Sequence, residues 1–124
     1  MKKINSHRDL NVYKLSFQAG MEVFEWSKTF PKEERYSLTD QIRRSSRSVS
    51  GNIAEAFRKR NYPKLFVSKL TDSEGEAAET QVWFEYAKAC KYLYQEVFDQ
   101  MNEKYEHIIA MLLTMKTKPE FWSI

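Results

Sequence analysis

Apolar residues recur at intervals of three and four along four stretches of the chain, and this spacing predicts four helices. We expect the helices over about residues 9–29, 34–60, 64–90 and 95–117. Only three glycines and three prolines interrupt the 124 residues, which indicates few, long elements with short connections. Because short connections favour antiparallel neighbours, the pattern predicts an all-α fold, an up-down-up-down antiparallel four-helix bundle.

The first predicted helix carries two apolar stripes. Asp9 is placed to cap its start, and Pro31 ends it because proline disfavours helical geometry in the preceding residue. One stripe contains Leu10, Tyr13, Phe17, Met21 and Phe24, and the stripe almost opposite contains Val12, Leu15, Ala19, Val23 and Trp26. We expect one stripe to face the core and the other a second subunit, the alternative being a deeply buried helix. The residues expected at an oligomer interface are Val12, Leu15, Val23, Trp26, Gly51 and Trp83.

Each of the other three helices has one inward stripe. The second helix aligns Leu38, Ile42, Ser45, Val49, Ile53 and Ala56; the third aligns Phe66, Leu70, Ser73, Ala77, Phe84 and Ala87; the fourth aligns Val97, Met101, Tyr105, Ile108, Leu112 and Met115. We expect Asn61, Tyr62 and Pro63 to close the second helix and Pro119 to stop the fourth. Phe57 lies close to the inward stripe and is expected in the core.

Composition indicates one globular domain over residues 1–124. A hydrophobic content of 42% supplies one core, and the chain is too short for two ordinary domains. The longest apolar run, Ile108 to Leu113, cannot span a membrane, and no apolar secretion segment follows the basic start. The single cysteine, Cys90, fits a reducing compartment, so we expect a cytoplasmic protein that does not enter membranes. The aromatic tail residues Phe121 and Trp122 are expected to dock on the bundle or on a neighbouring subunit.

Positive charge is concentrated in and after the second helix, although the net charge of the chain is only +3. The residues predicted to bind nucleic acid are Arg43, Arg44, Arg47, Arg58, Lys59, Arg60 and Lys64. On a continuous helix four of these arginines point away from the core, and the small residues Ser50, Gly51 and Ala54 lie between them. Guanidinium groups bind phosphates through charge-assisted hydrogen bonds, so this face suits a nucleic-acid backbone. The alternative is a solvated face paired with Asp40, Glu55 or the acidic third helix.

The third helix carries the compensating negative charge. Its acidic residues are Asp72, Glu74, Glu76, Glu79 and Glu85. Three of them share one side with Trp83, which is typical of a partner surface, and this side can meet the basic face of a neighbouring copy. A solvated acidic face is the alternative.

The residue types needed for metal or catalytic chemistry are sparse. The chain has two histidines, His7 and His107, and one cysteine, and it lacks a Gly-rich phosphate loop and any recognisable Ser-His-Asp grouping. We therefore predict a non-enzymatic protein that requires neither a metal ion nor another cofactor.

Several short motifs are spread over most of the chain. They are Arg8-Asp9-Leu10-Asn11-Val12-Tyr13-Lys14, Phe30-Pro31 with Glu34 and Tyr36-Ser37-Leu38, Gln41-Ile42-Arg43-Arg44-Ser45-Ser46, Ser48-Val49-Ser50-Gly51-Asn52-Ile53-Ala54-Glu55-Ala56, Phe66 with Leu70, and Glu76 to Gln81. Together they resemble one bacterial family, the 23S ribosomal-RNA intervening-sequence proteins. Ser50 stands where the family usually has proline, and Ala56 where it usually has glycine.

The resemblance implies a four-helix bundle that assembles as a homopentamer and has no established catalytic activity. The accessory proteins of diversity-generating retroelements are similar in fold and form basic pentamers that work with nucleic acid, which favours RNA or DNA as a ligand. The motif residues carried over are Arg43, Arg44, Asn52 and Glu55. We expect Asn52 and Glu55 to form structural hydrogen bonds between helices.

Our leading hypothesis is an oligomeric bundle that binds RNA or another nucleic acid, with weak sequence specificity, through the arginine face of the second helix. The rival hypothesis is a protein-interaction scaffold whose charged faces serve homo-oligomer assembly and docking of a protein partner of unknown identity, with no nucleic acid bound.

Overall fold

The fold is a bundle of four helices, which confirms the all-α prediction. The computed structural model describes residues 4–122, and the four helices are α1 (Asn11–Ser27), α2 (Leu38–Arg58), α3 (Pro63–Ala89) and α4 (Gln95–Thr117). Each helix packs on its neighbours along the chain, and α1 packs on α4 to close the bundle. The part of the chain that the structure describes contains no β-strand, and none of its helices is long and apolar enough to cross a membrane.

The start of α1 differs from the prediction. Asp9 does not cap this helix; it ends a separate 3-10 turn, His7–Asp9, that begins at the N-cap residue Ser6. The Asp9 carboxylate accepts hydrogen bonds from the backbone N–H groups of Asn5 (2.9 Å) and Ser6 (3.1 Å), and the Ser6 hydroxyl accepts one from Arg8 N–H. The reciprocal bonds form a capping box around this turn, and α1 follows after Leu10.

The start of α2 also differs, because Glu34 lies in a 3-10 turn, Lys32–Glu34, upstream of the helix. Its carboxylate oxygen Oε1 accepts hydrogen bonds from the Ser37 hydroxyl (2.6 Å) and the Leu38 N–H (3.3 Å). The side chain therefore satisfies backbone N–H at the beginning of α2 instead of extending the helix. Pro63 was expected to close α2, but it occupies the first turn of α3, where a missing N–H costs nothing.

The predicted inward stripes of α2 and α3 are buried as expected, and Phe57 is in the core with them. On α4 the stripe is also buried, except that Val97 is only partly covered. On α1 the stripe that faces the core contains Val12, Ala19 and Val23. Val12 and Val23 were predicted at an oligomer interface; they fill the monomer core instead and are inaccessible to another subunit.

Buried hydroxyl groups join α2 to its neighbours. Ser45 and Thr80 are hydrogen-bonded at 2.8 Å, and the Ser73 hydroxyl donates to the Val49 carbonyl oxygen at 2.8 Å. On the other side, the hydroxyls of Ser16 and Ser50 lie 3.0 Å apart. Because serine and threonine are small, these contacts allow the helices to approach closely, and each of the hydroxyl groups just named has a hydrogen-bond partner.

The two ends of the bundle are closed by aromatic side chains. At one end, Tyr92 packs on Phe30 and its hydroxyl donates to Glu34 at 2.8 Å, which joins the α3–α4 connection to the α1–α2 connection. At the other end, Trp122 packs against the core next to Phe66. This residue of the tail therefore docks on the bundle, which is one of the two arrangements expected from the sequence. Its neighbour Phe121 remains 73% exposed.

Candidate nucleic-acid interface

A shallow groove of ≈ 630 Å³ runs along the outer face of α2. Its lining residues are Asp40, Arg43, Arg44, Arg47, Ser48, Gly51, Asn52 and Glu55. Three of the seven cations predicted to bind nucleic acid are therefore brought together, all at the N-terminal half of α2. Gly51 provides a low floor, since a Cβ added to it would meet no atom within 4 Å.

Arg43 lies at the edge of the groove that faces α1. Its Nε donates to the Ser27 hydroxyl at 2.7 Å, and its guanidinium lies 4.8 Å from the centre of the Phe24 ring. These contacts hold the side chain against α1. Arg43 therefore contributes a positively charged wall whose position is set by the bundle itself.

Arg44 lies at the opposite edge and is paired with the acidic side of α3. Its guanidinium contacts Glu79 at 2.6 Å and Glu76 at 3.3 Å, and the hydrogen bonds that it donates to Glu79 and then to Glu76 raise its pKa. Trp83 Nε1 also donates to Glu79, at 3.2 Å. The alternative of pairing with the third helix is therefore correct for Arg44, and much of its charge is neutralised within the monomer.

Arg47 and Arg58 are the two arginines of α2 whose side chains are not held by a polar partner in the described part of the chain. Both are exposed, and among residues 4–122 neither forms a hydrogen bond or an ion pair. Arg47 lies 5.8 Å from the centre of the Phe24 ring, on the Arg43 side of the groove. Their unpaired guanidinium groups remain available to an anionic ligand.

The last three predicted cations lie beyond α2 and do not line the groove. Lys59 is the C-cap residue, and Lys64 is exposed in the first turn of α3. Arg60 folds back, with its guanidinium 3.9 Å from the centre of the Phe57 ring and its Nη1 donating to the Phe57 carbonyl oxygen. The helix end thus separates these residues from the groove.

The two structural motif residues behave differently. Glu55 joins two helices, because its carboxylate pairs with Lys69 of α3 at 2.9 Å, and this contact lowers the pKa of Glu55. Asn52 does not join helices: its Nδ2 donates to the Ser48 carbonyl oxygen within α2, at 2.9 Å. The expected interhelical bond of Asn52 is therefore wrong, since the preceding turn of its own helix offers a nearer acceptor.

Other acidic residues of α3 also form ion pairs within the monomer. Glu74 pairs with Lys116 of α4 at 2.6 Å, and Asp72 lies 3.7 Å from Lys69. Together with the Arg44 contacts, these pairs cancel part of the charge separation that is visible along the chain. Less acidic surface is consequently left to meet a neighbouring copy.

A second, apolar groove lies between α1 and α2 and shares Arg47 and Gly51 with the first. Its other lining residues are Tyr13, Phe17, Gly20, Met21, Phe24, Ser46, Ser50 and Ala54. Phe17 and Met21 are 54% and 50% exposed, which is unusual for two large apolar side chains on adjacent turns. The accessible apolar stripe of α1 is thus the one opposite to the stripe predicted to face a subunit; Leu15 and Trp26 are partly buried against the core.

Between Ile4 and Trp122, no three His, Cys, Asp or Glu side chains are arranged to hold a metal ion. The single cysteine, Cys90, is exposed at the end of α3. The chemistry that the site offers is electrostatic recognition of an anion beside an apolar surface.

Comparisons with known proteins identify the family of the bundle. The chain is similar to a protein of unknown function from the S23 ribosomal protein family of Bacteroides thetaiotaomicron VPI-5482, whose crystal structure gives a TM-score of 0.78 at 25% identity over 86% of this chain and 95% of that chain. No curated protein matches the chain. A family model described as 23S rRNA-intervening sequence protein matches residues 8–114, from the N-terminal turn into the last turns of α4. Because this match covers all four helices, the chain belongs to the 23S rRNA-intervening sequence protein family.

Proposed function

We propose that this protein is a non-enzymatic, cytoplasmic nucleic-acid-binding bundle that contacts the phosphate backbone of RNA through the outer face of α2. The observation that carries the proposal is the state of Arg47 and Arg58: both are exposed and lack a carboxylate partner within the described residues. Arg44 shows that carboxylates of α3 lie within reach of this face, so the lack of partners is specific to the two outward positions.

The shape of the groove supports contact with a sugar-phosphate backbone. Arg47 and Arg58 are eleven residues apart on one helix, which separates their Cα atoms by roughly 16 Å along the axis. Gly51 lies between them without a side chain, so a backbone can approach α2 closely there. Contacts of this kind read charge and shape rather than base identity, and binding is therefore expected to be weakly sequence-specific.

RNA is the preferred ligand because the description of the family, 23S rRNA-intervening sequence protein, refers to an RNA. A nucleic-acid interface formed by few cations has low affinity by itself. The adjoining apolar strip of Phe17 and Met21 offers a surface for a second copy, and repetition of the arginine face in a homo-oligomer increases avidity without new contacts. The resemblance to pentameric bundles favours five copies.

The proposal is tested by fluorescence anisotropy with a labelled structured RNA, titrated at low and at near-physiological salt. We expect Arg47→Glu and Arg58→Glu each to weaken binding by about tenfold, and to reduce the slope of log affinity against log salt by about 1, because each removes one phosphate contact. Light scattering and circular dichroism of the variants should show the same mass and helicity as the unsubstituted protein.

Lys32→Glu and Lys118→Glu are the matched controls. Both residues are exposed, neither lies on α2, and each substitution changes the net charge by the same amount as the arginine reversals. If the control variants weaken binding as much as the arginine variants, the interaction depends on net charge and the assigned surface is wrong.

One observation favours a second function, a protein-interaction scaffold, and it is the exposure of Phe17 and Met21 beside the arginines. In that case the apolar groove and the arginines form one composite docking surface for a protein partner. The same experiment separates the two functions: an intact oligomer that fails to bind RNA even at low salt supports the scaffold and contradicts the nucleic-acid proposal.

A further inference from the structure

A third hollow, of ≈ 440 Å³, lies where the N-terminal 3-10 turn packs on the last turns of α2. It is lined by Asn5, Ser6, His7, Arg8, Ala54, Glu55, Phe57 and Arg58. Glu55 lines both this hollow and the α2 groove, so the two are adjacent. The fold thereby places His7 and Arg8 beside Arg58, about fifty residues away in sequence.

The charges around this hollow are mostly positive. Burial of the imidazole lowers the pKa of His7, and the positive charges of Arg8 and Arg58, both of which are exposed, lower it further. Glu55 is the only acid in the lining, and it is already paired with Lys69. The rings of His7 and Tyr13, a residue of α1, pack edge-to-face with their centres 4.8 Å apart. Asp9, in the same turn as His7, directs its carboxylate to the N–H groups of Asn5 and Ser6.

We propose that this hollow binds a phosphate group, held by the guanidinium groups of Arg8 and Arg58 and by the protonated imidazole of His7. The proposal rests on the proposed function, because it makes the hollow an end site of the α2 groove. Two guanidinium groups and an imidazolium supply several charged N–H donors, which form charge-assisted hydrogen bonds with the oxygens of a phosphate. The bound anion supplies the negative charge that the lining lacks.

Two sources present the same chemistry, a terminal phosphate monoester and an internal phosphodiester of an RNA strand. A monoester is favoured, since its second ionisation, with a pKa of about 6, gives it up to two negative charges where the diester has one. In either case binding favours protonated His7, so affinity for a diester is expected to rise as the pH falls towards the pKa of the unliganded histidine. For a monoester this rise is opposed below about pH 6, because the phosphate itself takes up a proton there.

The first test needs no RNA. The chain contains only two histidines, so proton NMR resolves the titration of His7, while His107 of α4 reports nonspecific effects of added salt. Addition of inorganic phosphate, compared with chloride at equal ionic strength, is expected to raise the titration midpoint of His7 by about 0.5 pH units or more. The rise should disappear in Arg8→Gln and persist in Lys14→Gln, a matched charge loss on α1 outside the hollow.

The second test identifies the source of the phosphate. One RNA sequence carrying a 5′-phosphate, a 3′-phosphate or neither is titrated against the wild type, Arg8→Gln and His7→Gln near pH 6. Preference for one phosphorylated end by about fivefold, lost in both variants, supports a terminal monoester. Equal loss of affinity for all three RNAs in both variants, but not in Lys14→Gln, supports an internal phosphodiester.

An unchanged His7 midpoint with phosphate, together with unchanged RNA affinity in Arg8→Gln and His7→Gln, overturns the phosphate site. That result leaves the α2 groove intact as a hypothesis, because Arg47 lies outside the hollow and its reversal is measured separately. Conversely, an RNA affinity that is unchanged in Arg47→Glu but reduced in Arg8→Gln contradicts RNA binding in the α2 groove and supports the phosphate site.

Discussion

Arg44 and Arg47 are neighbours on α2, yet their surroundings give them different roles. Arg44 is enclosed by two carboxylates of α3, whereas Arg47 extends into the groove beside Phe24. An arginine that joins two helices contributes to stability, and an arginine without an acidic partner leaves its charge for a ligand. Side-chain type alone does not separate these roles.

Replacement of each arginine by alanine distinguishes them. We expect Arg44→Ala to lower the free energy of unfolding by about 0.5–1 kcal/mol, because it leaves Glu76 and Glu79 without their cation at a half-exposed, solvent-screened site. Arg47→Ala should change stability by less than about 0.5 kcal/mol. Urea unfolding measures both, and equal effects would contradict the structural role of Arg44.

Glu34 is the residue whose ionisation most directly supports a helix start. Hydrogen bonds from Ser37, Tyr92 and the Leu38 N–H lower its pKa below the ordinary value of 4.5. The same contact raises the pKa of Tyr92 to about 12, chiefly through the hydrogen bond to Glu34. Since the pKa of Glu34 is lower in the folded chain, its contribution to stability is present above pH 4.5 and is lost as the pH falls through the lowered value.

Tyr92→Phe removes one of these donors. We expect it to lower the free energy of unfolding at neutral pH, with the loss shrinking once Glu34 is protonated in both states. Urea unfolding at a series of pH values above and below 4.5 measures this. Tyr94→Phe is the control, since Tyr94 is 79% exposed; a loss for Tyr92→Phe that does not depend on pH would contradict the role of the carboxylate.

At the scale of the element, the sequence predicts helices well and their starts less well. The end of α4 at Thr117 follows from Pro119, and the buried stripe of α2 follows from its three- and four-residue spacing. The start of α2 was placed too early because Glu34 has good helix propensity, whereas its side chain is used to cap the helix. Helix propensity does not show which acidic side chain accepts hydrogen bonds from the N–H groups at the start of a helix.

Gly51 and Gly75 are two glycines inside helices, where glycine lowers helix stability. An added Cβ meets no atom within 4 Å at either position, so packing in the monomer requires neither glycine. Gly51 forms the floor of the groove, and Gly75 lies on α3 outside the grooves described above. The two positions are therefore a matched pair.

We expect Gly51→Ala and Gly75→Ala each to raise the free energy of unfolding by about 1 kcal/mol, because alanine has the higher helix propensity. Only Gly51→Ala should weaken RNA binding or self-association, since only there does the new methyl group obstruct the proposed interface. Thermal unfolding and RNA titration of both variants test this. Unchanged binding in Gly51→Ala would mean that close approach to α2 is not required.

At the scale of the molecule, the basic and apolar surfaces adjoin, since both grooves include Arg47 and Gly51. Sequence periodicity revealed two apolar stripes on α1 but not which one faces inward, because that choice depends on where α2 and α4 lie. The same limit left the pairing of the arginines with α3 as one of two alternatives, and it hid the position of His7 beside Arg58. Each of these contacts joins elements that no local pattern connects.

Self-association through the accessible stripe is tested with Phe17→Glu and Met21→Glu combined. We expect the mass measured by light scattering to fall to that of a monomer while helicity is retained, because both side chains are about half exposed in the folded chain. The double variant Val82→Glu, Leu113→Glu is the control, since it charges exposed apolar positions on α3 and α4. A mass that is unchanged in Phe17→Glu, Met21→Glu, or reduced equally in both variants, would contradict an interface on α1.

The unbroken course of α2 sets a minimum length for the ligand. A strand with the rise of B-form DNA, about 3.4 Å per step, covers the roughly 16 Å between Arg47 and Arg58 in about five base steps. An oligonucleotide of three nucleotides can reach one of these guanidinium groups, and one of six or more can reach both. Affinity measured over a series of lengths should therefore rise abruptly near six nucleotides, and a gradual rise would mean that the two arginines bind separate strands.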